Sequence, residues 1–145
     1  MLQLEKAYGA EKFLVLNIPP MQYSPAARVA TENLLQAKIN WIANYNQLLN
    51  ESVHSTGSTA SLFFFDTHQL FMTILSNPAA YGFQDTTDYW NKLTCTNLTY
   101  CPENAGGIQG ATNFLWFDGT HVTSGKSTNV LKIMYLTMVC LHSVS

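Results

Sequence analysis

Two short, uninterrupted apolar runs constrain this chain most. Phe13-Leu14-Val15-Leu16 and Ser61-Leu62-Phe63-Phe64-Phe65 each read as one strand, without the polar alternation that marks a solvent face. A continuous apolar strand fits a sheet covered on both sides, as parallel sheets are. Pro19 and Pro20 end the first run, because proline cannot donate to a ladder. Between the runs lies a helical pattern. Ser24-Pro25 starts it, with Ser as N-cap and Pro at the first helical position, and it continues to about Leu49. Leu35, Ile39, Ile42 and Leu49 form a stripe, and Leu34, Trp41, Tyr45 and Leu48 lie beside it. Asn46 interrupts the stripe. The aromatic members read as core or edge packing. Strand, helix, strand predicts a parallel pair joined by a right-handed crossover, and so an α/β chain.

The flanking segments are less regular. Residues 1–10 read as the end of a helix stopped by Gly9. After the second run, Asp66 or Thr67 caps a helix from His68 to about Leu75, which Asn77-Pro78 ends. His68 in that first turn is expected to face solvent or bond locally. Residues 78–113 read mostly as loop, rich in Asn, Thr, Gly and Pro. Loops of that length are usually functional or stapled. A last helix is predicted from about Ser124 to Leu141, with its apolar residues spread widely around it.

Composition bounds the function. The chain has 145 residues, which fits a single domain over 1–145. It is 47% hydrophobic but only 11% charged, against roughly 25% in an average soluble domain. The seven basic residues are scattered, so the chain has no nucleic-acid footprint. No apolar run approaches the ~20 residues of a membrane span. Met1 to Lys6 is not a signal peptide. Low charge, with many Asn, Thr and Ser, points to secretion. Sequons at Asn50-Glu51-Ser52 and Asn97-Leu98-Thr99 add to that reading and make Asn50 and Asn97 glycosylation candidates. Cys95 and Cys101 flank Thr96 to Tyr100, where a short disulfide is expected in an oxidising compartment, with Cys140 left free. There is no Cys-x-x-Cys, and neither a metal site nor a cofactor site is expected.

The chemistry is concentrated at Phe114-Leu115-Trp116-Phe117-Asp118-Gly119-Thr120-His121. An Asp can hold an imidazole in one tautomer, and that imidazole can take a proton from a hydroxyl nucleophile. Gly119 is expected to supply backbone freedom between the two. The competing reading has Asp118 capping the next helix, with His121 on its first turn.

In order, these motifs resemble the C-terminal half of a GDSL/SGNH esterase-lipase, and in particular the secreted fungal acetylesterases of carbohydrate esterase family 16. The resemblance is carried by Phe13 to Pro20, Tyr23-Ser24-Pro25, Trp41 with Asn44-Tyr45-Asn46, and Phe64-Phe65-Asp66. It continues through Asn77 to Phe83, the cysteine pair, and Phe114 to His121. It runs from about residue 5 to about residue 131. It implies the C-terminal portion of a flavodoxin-like, three-layer α/β/α SGNH-hydrolase fold with an incomplete parallel sheet. It makes His121 the catalytic base and Asp118 its orienting acid. The implied substrate is a small acyl ester, such as an acetylated saccharide, met outside the cell and without a cofactor. Phe114–Phe117 should then end at the same sheet edge as the other two strands.

The family's nucleophile is the Ser of a Gly-Asp-Ser-Leu-like block. Its oxyanion hole adds a Gly from a second block and the Asn of a Gly-x-Asn-Asp-like block. None of these precedes Phe13, so the 145 residues alone are expected to be inactive. The alternative is a truncated product or isoform that is non-catalytic, acting as a binding partner or without function. Val122 stands where the family has Pro, and Ser127 where a second His is common. The tail beyond about Leu131 matches poorly, as an altered terminus would.

Overall fold

The computed structural model describes residues 7–9, 11–55, 61–90 and 110–123. Strand β1 is Lys12–Leu16 and β2 is Ser61–Phe65. They pair in parallel and in register, Lys12 opposite Ser61 through Leu16 opposite Phe65. Helix α1, Pro25–Arg28, begins at Ser24, whose hydroxyl accepts from the Ala27 N–H. Helix α2, Glu32–Ser55, supplies the crossover to β2. Helix α3, Thr67–Ser76, is capped by Asp66, whose carboxylate accepts from the Gln69 N–H at 2.8 Å. Strands β3, Asp85–Tyr89, and β4, Phe114–Trp116, form a second parallel pair. The chain is thus mixed α/β with short parallel sheets.

Several expectations change. The helix predicted from Ser24 to about Leu49 is two helices, broken over Val29 to Thr31, and the second extends to Ser55. The polar segment Asp85-Thr86-Thr87-Asp88-Tyr89, read as loop, is a strand. Phe114–Trp116 joins that strand rather than β1 or β2. Strand β1 is not covered on both faces: Leu14 and Leu16 are exposed, while Phe13 and Val15 are half-buried. Trp41 and Tyr45 are not core. They are 58% and 43% exposed and stack on one another, ring centroids 5.6 Å apart. Gly9 has a left-handed φ of 64°, as a helix stop requires. The expected Ser124–Leu141 helix, Cys95, Cys101, Cys140 and Asn97 lie outside the described residues. Asn50 is exposed on α2.

Asn46 has a structural use that an apolar stripe could not supply. It lies in the inward seam of α2, level with the chain leaving β1. Its carboxamide accepts from the Ile18 N–H and donates to the Ile18 carbonyl, both at 2.8 Å. Ile18 has left the ladder, and Pro19 and Pro20 beyond it have no N–H to offer. The carboxamide therefore replaces the lost strand partner and ties α2 to the tip of β1. A buried backbone group left unpaired is costly, which explains a polar residue in the seam.

A buried apolar cluster unites both sheets. Phe65 from the end of β2, Leu70, Phe71 and Ile74 from α3, Phe83, and Leu115 and Trp116 from β4 are all buried together. Met21, from the turn after β1, packs against them. Trp116 is fully buried, and its indole N–H donates to the Thr86 carbonyl at 3.0 Å. The hydrophobic strand that precedes the Asp-His turn is therefore rooted in the core.

Asn46→Ala removes both bonds to Ile18 at once. It is expected to lower the free energy of unfolding by about 1–3 kcal/mol, as for a pair of backbone groups left without partners. Urea unfolding checks this. Amide exchange at Ile18 should accelerate more than exchange in the middle of β2.

Candidate active site

The turn at Asp118 is folded by one carboxylate. Its Oδ1 accepts from the Thr120 N–H at 2.8 Å and from the His121 N–H at 2.7 Å. That is an Asx-turn extended by one residue, and it coils the chain back on itself. Two backbone bonds close the base: the Phe117 N–H donates to the His121 carbonyl at 2.7 Å, and the Thr123 N–H to the Leu115 carbonyl at 3.0 Å. Trp116 and Val122 form an antiparallel bridge between them. The buried Thr123 hydroxyl adds a bond to the Phe114 carbonyl at 2.7 Å. Phe117 packs on the buried Trp90, ring centroids 5.4 Å apart.

Gly119 serves a different purpose from the one expected. Its φ is not in the left-handed range, so backbone freedom is not what the turn requires. It is needed for closeness. A Cβ there would sit 3.3 Å from the Ala26 Cβ, and the Gly119 carbonyl accepts from the Ala26 N–H at 2.9 Å. The turn is thereby docked on the first turn of α1, in the connection that leaves β1.

The second carboxylate oxygen meets the imidazole. Asp118 Oδ2 lies 2.7 Å from His121 Nδ1. Oδ1 is occupied by backbone donors, so the side chain cannot rotate away without breaking the turn. The His121 side chain is 78% exposed, and among the described residues only its Nδ1 is hydrogen-bonded. A carboxylate at Nδ1 favours the tautomer that carries its proton there, which leaves Nε2 as a basic lone pair facing outward.

The electrostatics of Asp118 follow from these bonds. Partial burial works against ionisation. It is outweighed by the backbone N–H groups of Thr120 and His121 and by the imidazole, which together bring the carboxyl down to about 2 from its ordinary 3.8. Asp118 is therefore ionised throughout the weakly acidic and neutral range.

The other expected residues lie elsewhere. His68 is half-buried at the start of α3, where its N–H donates to Asn17 Oδ1 at 2.9 Å. Asn17 binds much of that corner: its amide donates to Asp66 Oδ1 at 2.8 Å, and its Oδ1 also accepts from the Thr67 hydroxyl at 2.7 Å. Neither residue touches the Asp-His pair. Sequence reasoning passed over Thr120, Thr123 and Ala26, although each shapes the turn. Thr120, two residues after an Asp, is an Asx-turn signal. Ala26 carries no signal of its own. Among the described residues, no group of three or more His, Cys, Asp or Glu could hold a metal ion. None of the described helices is long and apolar enough to cross a membrane.

The Asp-x-x-His turn, rooted in a core strand, lies within a span that matches a known family. The profile of the GDSL-like lipase/acylhydrolase family matches residues 1–131. The chain belongs to that family. GDSL-like enzymes act on esters, and the mixed α/β architecture with short parallel sheets is consistent with a partial SGNH-hydrolase fold. Among curated proteins, the chain is similar to the anther-specific proline-rich protein APG of Brassica napus, 25% identical over 79% of this chain and 27% of that protein. It is similar to the APG of Arabidopsis thaliana at 23% identity, over 88% of this chain and 25% of that protein. It also resembles the thermolabile hemolysin of Vibrio parahaemolyticus, 22% identical over 87% of this chain and 32% of that protein. The chain thus spans about a quarter to a third of the length of these curated relatives.

The depressed carboxyl fixes a sign for the acid limb of stability. A group whose folded pKa is lowered contributes fully above its unfolded value, and that contribution is lost as pH falls through the folded one. Between about 3.8 and about 2, stability should therefore fall with pH in part through Asp118. Asp118→Asn should flatten that part of the slope. Unfolding followed across this window checks the slope, and the carboxyl carbon resonance of Asp118 should titrate near 2.

A methyl at Gly119 tests the docking. Gly119→Ala would place its Cβ 3.3 Å from the Ala26 Cβ and should push the turn from α1, at a cost of about 1 kcal/mol in urea unfolding. Backbone shifts should centre on Gly119 and Ala26 rather than on β1.

Proposed function

We propose that this chain carries the acid-base half of a serine ester hydrolase, with His121 as general base and Asp118 as its orienting acid. The observation that carries the reading is the 2.7 Å contact between Asp118 Oδ2 and His121 Nδ1 in a turn that leaves the rest of the imidazole open. In the reaction, Nε2 takes the proton of a serine hydroxyl as its oxygen attacks the acyl carbonyl. The imidazolium then gives that proton to the departing alcohol as the tetrahedral adduct collapses to an acyl-enzyme. Asp118 stays ionised and stabilises the imidazolium. Water, deprotonated by the same Nε2, releases the acid and regenerates the serine.

The 145 residues hold no Gly-Asp-Ser-Leu or Gly-x-Asn-Asp block. In this reading the serine and the oxyanion donors come from a further GDSL-type segment, and the chain corresponds to the C-terminal part of one SGNH domain. Its resemblance to carbohydrate esterase family 16 supports an acetyl group on a saccharide as the ester. The sequon at Asn97 and the Cys95–Cys101 pair support an extracellular, glycosylated protein.

Hydrolysis of p-nitrophenyl acetate tests the assignment. The chain alone should not exceed the background of free imidazole, since loss of even one oxyanion donor costs roughly a hundred- to a thousandfold. Joined to a family segment bearing the serine and oxyanion blocks, it should turn over. His121→Ala should then remove nearly all activity. Asp118→Asn should reduce it up to about ten-thousandfold through the wrong tautomer. Saturable activity of the chain alone that His121→Ala abolishes would mean that it contains its own nucleophile.

A further inference from the structure

A concave site is lined by residues other than those of the Asp-His turn. It is a pocket of about 370 Å³ between α2 and the C-terminal tips of β1 and β2. Its volume falls within the range of small-molecule sites. Asn46, Gln47 and Asn50 line one side, from two adjacent turns of α2; Phe64, Asp66 and His68 line the other.

The lining separates into groups that hold the fold and groups left to a ligand. Asn46 gives one donor and one acceptor to Ile18, which fix its orientation. Gln47 gives its amide to Glu51 at 2.9 Å, which leaves its carbonyl oxygen to accept. Asp66 uses Oδ1 for the α3 cap and for Asn17. Among the described residues, Asp66 Oδ2, the Asn50 carboxamide and the His68 ring carry no hydrogen bond. The pocket therefore presents a carboxylate acceptor, a carboxamide that donates and accepts, an imidazole, and one aromatic side chain.

That combination selects a class of ligand. A phosphate or carboxylate would meet Asp66 with no Lys or Arg in the lining to offset it. A purely apolar ligand would strand the polar groups without partners. A neutral polyhydroxylated ring satisfies both halves: its hydroxyls donate to Asp66 and Gln47 and accept from Asn50, while its C–H face covers Phe64. We infer that the pocket bounded by Asn50, Asp66, His68 and Phe64 is a saccharide subsite, separate from the acid-base pair. The inference rests on the proposed saccharide-ester reading for its biological sense, but its chemistry is that of the pocket alone. Asn50 is also the acceptor of a sequon, so a glycan attached there would stand at the pocket's own wall.

The test is saccharide binding by the 145-residue chain, made in bacteria so that Asn50 carries no glycan. The probe is xylohexaose, followed by amide shifts in ¹H–¹⁵N spectra. Saturable shifts at Asn50, Phe64 and His68, with a Kd in the range of about 0.1–5 mM, are expected for a single subsite. Asn50→Ala, on an exposed helix surface, and His68→Gln should each weaken binding roughly three- to tenfold, the worth of one hydrogen bond. His121→Ala should leave it unchanged. At protein concentrations too low for spectra, retardation in native gels containing soluble xylan gives the same comparison, with the same ranking of variants expected.

Absence of both saturable shifts and retardation overturns the subsite. So does wild-type binding by both Asn50→Ala and His68→Gln. The two readings fail separately. Binding that persists in a protein without ester hydrolysis leaves the subsite standing, and ester hydrolysis without binding removes only the subsite.

Discussion

The carboxylate of Asp118 is the interaction on which the candidate site depends. One oxygen folds the turn through two backbone N–H groups, and the other fixes the imidazole. The two tasks are coupled. The side chain cannot release His121 without also releasing the backbone that positions it. The three donors also explain why the carboxyl falls to about 2 despite partial burial. A turn of four residues thus acquires rigidity that its own length would not supply.

That rigidity is anchored from two directions. Beneath the turn, Leu115 and Trp116 are buried in the cluster that joins α3 to the tip of β2. Beside it, Gly119 closes on Ala26 and bonds to its N–H. Ala26 belongs to the connection that follows β1, and Asn46 ties the start of that connection to α2. The exposed imidazole is therefore linked, through short bonded steps, to both strands of the first sheet. A site built from a mobile surface loop would lack this support.

Much of this was legible in the sequence. The strands Phe13–Leu16 and Ser61–Phe65 and the Ser24 and Asp66 caps follow from local rules, because each depends on neighbours in the chain. The Asp118–His121 spacing left a helix cap as an alternative, and the order of motifs along the chain favoured the pair. What escaped depends on distant partners. Strand β3 is polar, and it is a strand because β4 lies alongside it, not because its residues favour one. Gly119 looked like a hinge and is instead a point of close approach, which only Ala26 reveals. Asn46 looked like a flaw in a stripe until Ile18 stood opposite it. Trp41 and Tyr45 matched a core pattern, yet they cover one another on the surface. The saccharide-like character of the second pocket is likewise spread over α2, β2 and α3, and no single motif encodes it.

The central claim is that Asp118 presets the imidazole, and the tautomer of His121 reports on it most directly. Long-range ¹H–¹⁵N correlation of the ring, at a pH where it is neutral, distinguishes the two nitrogens. A proton fixed on Nδ1 is expected, with Nε2 bearing the lone pair. A ring protonated on Nε2, or one averaging between tautomers as a free exposed histidine does, would contradict it.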